Sequence, residues 1–210
     1  MKVKSLAIAA ALLSTVSATL AEGENANDSK KWMARLRILG VNPQVGSSIE
    51  PIGGKASVSS DVIPELDFSY FFTKNIALEL ILGTSHHKVR ATGTSDGDFN
   101  GSKVKLLPPI LSLQYHFTQL SQKVKPYLGA GLNYTIFYDA KKGDFTSISY
   151  KNKFGYALQA GVDVNIQGSW YFNIDVKKLW LKTTATINES VKANVRLNPW
   201  IFGAGVGYRF

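Results

Sequence analysis

From Trp32 onward, apolar and polar residues alternate with a period of two, the signature of strands that show one face to an apolar phase. Eight such segments can be traced, each close to the roughly 10 residues that cross a bilayer as a tilted strand. In the first, Trp32, Ala34, Leu36 and Ile38 share one face while Met33, Arg35 and Arg37 share the other. The second sets Leu66, Phe68, Tyr70 and Phe72 against Glu65, Asp67 and Ser69. The sixth sets Tyr156, Leu158, Ala160 and Val162 against Gly155, Gln159, Gly161 and Asp163, and the eighth Phe202, Ala204, Val206 and Tyr208 against Gly203, Gly205, Gly207 and Arg209. In the seventh the phase blurs after Val176, at Lys177-Lys178, which predicts a bulge.

The joins alternate in length. Residues 73–75, 118–125 and 167–169 are short, whereas 40–62, 84–105, 139–152 and 183–197 are long and polar. Short turns at one end and long loops at the other predict an all-β, eight-stranded antiparallel transmembrane β-barrel with periplasmic turns and extracellular loops. The even strand number puts both ends of the barrel on the periplasmic side.

The faces can be told apart. Eight glycines (83, 129, 131, 155, 161, 203, 205, 207) lie on the polar face, where a narrow eight-stranded lumen makes side chains compete for space. The same face carries Arg35, Arg37, Glu65, Asp67, Glu79, Asp163, Asp175, Lys177 and Arg209, nearly balanced in charge. The apolar face is almost free of charge, as hydrocarbon demands, and aromatic residues gather at both ends of the strands. The lumen therefore reads either as a charged plug or as a pocket for a slim apolar solute. Channel-lining candidates are Met33, Arg35, Arg37, Ile81, Phe137 and Ile201. Eight strands leave too little bore for a general porin.

Composition narrows the chemistry. The 210 residues contain no Cys, which removes thiol catalysis, disulfides and Cys-ligated metals, and 18 Gly, with Tyr and Phe leading the aromatics. Mean hydropathy is −0.03, and no second apolar run is long enough for a spanning helix. Residues 1–21 have the layout of an export signal: Lys2 and Lys4, an apolar stretch over 6–16, then small residues with cleavage expected after Ala21. Residues 22–210 would then form a single outer-membrane domain. Losing Lys2 and Lys4 lowers the net charge from +9 to +7. Export makes nucleic acid an unsuitable partner, and outer-membrane lipid and lipopolysaccharide the natural counter-charge.

Other motifs carry less. Asp96-Gly97-Asp98-Phe99-Asn100-Gly101 matches the start of a calcium loop, but Leu107 stands where a bidentate Glu belongs. His86 and His87 are adjacent on a strand and point to opposite faces. His116 faces inward beside Ser112, without the G-x-S-x-G elbow of a hydrolase. No enzyme, cofactor or metal is expected.

The residues also carry a resemblance. Tyr208-Arg209-Phe210 resembles the C-terminal signature of outer-membrane barrels, in which an aromatic two positions before a terminal Phe is read by the barrel-insertion machinery. More specifically, residues 65–80 (ELDFSYFFTKNIALEL), Leu107-Pro108-Pro109, 126–137 (PYLGAGLNYTIF), 173–183 (NIDVKKLWLKT) and 198–210 (NPWIFGAGVGYRF) together resemble the OmpW family, with AlkL-type relatives. The resemblance implies a narrow hydrophobic channel, closed toward the periplasm and opening sideways into the membrane, for small apolar solutes. Leu107, Pro108 and Pro109 are the seam candidates, since proline lacks a ladder donor. The same residues would equally suit a plain loop boundary with pairing starting at Ile110. A barrel serving structure, adhesion or immune contact through its loops is the competing class.

Overall fold

The computed structural model describes residues 30–50, 52–121, 123–141, 143–144, 146–188 and 191–210, so the expected export signal lies outside the described residues. In chain order its strands begin with β1 (Trp32–Asn42), β2 (Gly46–Glu50), β3 (Lys55–Val58), β4 (Asp61–Phe71) and β5 (Ile76–Gly83). There follow β6 (Ser85–Thr94), β7 (Gly97–Leu107), β8 (Ile110–His116), β9 (Val124–Lys141) and β10 (Ile148–Tyr150). The last are β11 (Lys153–Gln167), β12 (Trp170–Trp180), β13 (Lys182–Ile187), β14 (Val191–Arg196) and β15 (Trp200–Arg209).

Eight of these, in the order β11-β12-β15-β1-β4-β5-β8-β9, form an antiparallel wall, and β9 pairs back onto β11 to close it. They are the eight alternating segments. Closure leaves no free edge in the bilayer, where an unpaired backbone group would find no water.

The four long joins are not simple loops. They carry the other seven strands, which build the barrel upward as a β10-β13-β14-β2 sheet and a β3-β6-β7 sheet continuing onto β9. These stretches alternate too, but with small or hydroxylated residues: Thr183, Ala185, Ile187, Ala193 and Val195 point inward, Lys182, Lys192 and Asn194 outward. Their polar appearance hides a strand pattern.

The bulge expected at Lys177-Lys178 is absent. β12 keeps register with β11 from Trp180 to Tyr171, and the irregularity falls instead at Asn165/Gln167. Both lysines fit the alternation because each has a partner. Lys177 points inward onto Asp175, whereas Lys178 points outward, donates to the Asn198 carbonyl at 2.7 Å and lies 4.8 Å from the Trp200 ring centre. A long stem lets an outward lysine reach the interface.

Outside, the wall is an apolar belt; Leu132 is 68% exposed and Leu36 58%. Aromatic pairs bound it: Trp32–Tyr70, Tyr115–Phe117 and Trp170–Tyr208 below, Tyr134–Phe154 and Tyr156–Trp180 above, with ring centres 4.6–5.1 Å apart. Inside, β1 and β4 pass through the same layers from the periplasmic end upward. On β1 they read Met33, then Arg35 and Arg37, then Leu39 and Val41. On β4 they read Phe71, then Ser69, Asp67 and Glu65, then Ile63.

Candidate functional site

The middle layer is an ion-pair cluster that crosses the bore. Arg35 reaches from β1 to Asp67 on β4 (2.9 Å) and to Asp163 on the far strand β11 (2.8 Å). Arg37 contacts Glu65 at 2.6 Å, Asp67 at 2.8 Å, Glu79 on β5 at 3.0 Å and Asp175 on β12 at 3.1 Å. Gln159 donates to both Glu79 and Asp175, and Lys177 pairs with Asp175. All these side chains are buried. Planar guanidinium groups suit such sharing, since each presents five donors in a fixed fork.

Glycine makes the cluster possible. In the β1–β15 ladder, Arg35 lies opposite Gly207 and Arg37 opposite Gly205. A Cβ at Gly207 would come within 2.9 Å of the Arg35 Cγ, and one at Gly161 would overlap the Tyr127 ring. The bare strand gives the arginine stems their room.

Beneath the cluster, Met33, Phe71, Ala77 and Tyr171 form an apolar floor, with the Arg209 guanidinium 4.1 Å from the Phe71 ring centre. Above it the lumen changes character at one level. Leu39, Ile63, Ile81, Ile110, Leu179 and Ile201 replace the charges and line a cavity with a free volume of about 90 Å³. Glu65 and Lys177 reach its lower end, and Val104, Leu106, Ala185, Ala193 and Val195 extend its walls into the upper sheets. That volume is less than the roughly 150 Å³ of an apolar cavity that takes benzene, so the space is narrow, and its mostly apolar walls match a slim apolar group rather than a hydrated ion.

Of the sequence candidates, Ile81, Phe137 and Ile201 line this cavity. Arg35 and Arg37 lie below it in the ionic cluster, and Met33 lies lower still, in the floor; none of these three lines the cavity. Sequence reasoning missed Leu39, Ile63 and Leu179. The available signal was the switch from charged to aliphatic inward residues at a common height on neighbouring strands.

Leu107, Pro108 and Pro109 sit beside a stretch of the wall without ladder pairs. β8 pairs with β5 as far as Ile110 and Ile81, and β7 pairs with β6 from Leu106 and Ser85. Between these rungs, residues 82–84 face residues 107–109 without a ladder pair, although the register on either side is the same. The prolines have no N–H to give. On the other side the ladder to β9 resumes at once, with the Tyr134 N–H donating to the Pro109 carbonyl at 3.2 Å. Gly83 and Pro108, which flank the unpaired stretch, both line the cavity.

The remaining motifs have structural uses. His116 stacks on Tyr127 and its Nε2 lies 3.0 Å from Gln114 Oε1, with Asp163 3.8 Å from Nδ1. The Asp98 carboxylate accepts from the Gly93 N–H at a hairpin tip. Gly203–Gly207 lies within β15. His86 is exposed and His87 buried, on opposite faces of β6. Burial pushes the His87 imidazole below its ordinary pKa, against the pull of the Ser59 carbonyl at 2.6 Å and of Asp61.

A closed eight-stranded barrel with an apolar belt between two aromatic girdles, and with its charges enclosed, is an outer-membrane β-barrel protein. The OmpW family profile matches residues 31–210, and the chain belongs to that family. It is 43% identical over 210 residues to the outer-membrane protein y4mB of Sinorhizobium fredii, covering 97% of this chain and 90% of that one. It is 31% identical over 162 residues to the dibenzothiophene metabolism operon protein PahQ of Pseudomonas aeruginosa, covering 75% and 76%. Among solved structures, OprG of Pseudomonas aeruginosa superposes with a TM-score of 0.79 at 30% identity, covering 86% of this chain and 96% of that one. The outer membrane protein AlkL superposes at 0.66 and 26%, covering 90% and 93%. The chain is therefore an outer-membrane protein.

Proposed function

We propose that this barrel passes small hydrophobic molecules from the cell surface into the upper lumen and releases them sideways into the membrane at residues 107–109. The observation that carries the reading is the apolar cavity standing on an ionic cluster. A solute entering from above meets mostly apolar walls, then charged side chains paired with one another. Passing them would mean separating buried ion pairs, which costs several kcal/mol per pair broken. The unpaired stretch between residues 82–84 and 107–109 offers the cheaper way out, because no backbone hydrogen bond has to break there. Membership of the OmpW family and likeness to a dibenzothiophene operon protein support an apolar cargo. Tyr208 and Phe210, outward at the periplasmic end of β15, complete the reading as the signal for the insertion machinery.

Uptake by liposomes tests it. Barrel-containing liposomes should take up an apolar fluorescent probe faster than empty ones, and an added alkane should quench tryptophan fluorescence saturably in detergent. Restoring donors with Pro108→Val and Pro109→Thr should slow uptake while leaving quenching intact. Equal rates with and without barrel would defeat transport and leave the loop-contact class; unchanged uptake in the double variant would defeat the lateral exit alone.

A further inference from the structure

The outward face of the β10-β13-β14-β2 sheet bears cations that transport does not use. Lys182 lies directly across the ladder from Arg196, and Arg196 across from Gly46. Both cations are exposed, and with Lys153 they border a surface depression of about 510 Å³ that also takes in Ser48, Thr184 and Asn194. No Asp or Glu lines it. Like charges directly opposite in a ladder repel, and cross-strand side chains sit only about 5 Å apart at their Cβ atoms. Among the described residues neither Lys182, Arg196 nor Lys153 has an ion-pair partner. The comparable groove on the other side of the barrel is different, for there Lys105 is held by Asp139 at 2.8 Å.

The row is also shaped and placed for a ligand. Gly46 offers no side chain, and a Cβ there would lie 3.3 Å from the Arg196 Nε, so the guanidinium lies over bare backbone. Lys182 follows two residues after Trp180, which stacks on Tyr156 with ring centres 5.1 Å apart, and Lys153 precedes Phe154, 77% exposed. Aromatic girdles mark the level of lipid head groups. The cations therefore stand just above it, on the side of the outer leaflet. A phosphate monoester matches a guanidinium fork beside an ammonium group.

We propose that Lys182, Arg196 and Lys153 bind the phosphate of a phosphorylated glycolipid in the outer leaflet, its acyl chains resting on Phe154 and Tyr156. The full barrel in zwitterionic micelles, titrated with bisphosphorylated lipid A and read by native mass spectrometry, tests this. K182Q/R196Q should weaken binding roughly thirtyfold, at about 1 kcal/mol per cation removed. K88Q/K103Q, on the opposite groove, should bind as the parent does, and enzymatically dephosphorylated lipid A should bind the parent as weakly as the double variant binds lipid A. Heat-modifiable gel migration confirms that both variants fold. Equal weakening by the two double variants would reduce the effect to net charge and overturn the site. So would parent-like binding by K182Q/R196Q, or competition by inorganic phosphate at the concentration at which lipid A binds, which would make the ligand a free anion. The test contains no transported solute, so its failure leaves the channel untouched.

Discussion

Gly205 lies directly across the β1–β15 ladder from Arg37, and a Cβ at position 205 would fall 2.6 Å from the Arg37 Cα. The obstacle is backbone, so no rotamer change relieves it. Gly205→Val should destabilise the barrel by about 1–3 kcal/mol, the usual cost of overpacking. Gly40→Ala is the control, since nothing stands within 4 Å of its Cβ position. The urea midpoint for loss of the compact band on unboiled gels should fall in the first variant and stay unchanged in the second.

Arg37 shares its guanidinium among Glu65, Asp67, Glu79 and Asp175, all buried. Arg37→Ala strands buried carboxylates without their cation, a loss of about 3–5 kcal/mol. Adding Glu65→Gln and Glu79→Gln should recover part of that loss, because fewer charges are then left unpaired. Urea unfolding of the single and triple variants measures both. A triple variant weaker than the single one would mean that the carboxylates stabilise the barrel independently of Arg37.

His87 ties β6 to the link between β3 and β4 in its neutral form. Nδ1 donates to the Ser59 carbonyl at 2.6 Å, leaving Nε2 to accept from the Ser85 hydroxyl at 3.0 Å. Burial lowers its folded pKa, so the unfolded segment binds a proton more readily. The contribution to stability is thus fully present above the ordinary histidine pKa, near 6.5, and is lost as pH falls from there through the folded value. The protection factor of the Ser59 amide, whose N–H donates to the Lys88 carbonyl, should fall from pH 7.5 to pH 5 once the intrinsic slowing of exchange over that range is divided out. His87→Gln should make the protection factor independent of pH over that range.

Much was legible in the chain itself. Period-two alternation is a local property, so Trp32 to Ile38 or Phe202 to Tyr208 already declare a strand, its apolar face and, through their glycines, a lumen too narrow for side chains on every wall. The seven further strands were harder to see, since alternation of Thr and Ala with Lys and Asn leaves little contrast in hydropathy. Lys177-Lys178 misled for a related reason: two charges in a row break the pattern in sequence, while in space one pairs with Asp175 and the other reaches Trp200.

Parity says that Met33, Arg35, Arg37, Ile81, Phe137 and Ile201 face inward, and it stops there. Height along the bore depends on stagger between strands, and stagger is set by pairing across the whole closed wall. Only that pairing stacked the floor, the ion pairs and the cavity, and placed the unpaired stretch at residues 82–84 rather than on the β9 side. Local chemistry determined the barrel and its faces; long-range register decided where its lumen is charged, where it is apolar, and where neighbouring strands of its wall lack ladder pairs.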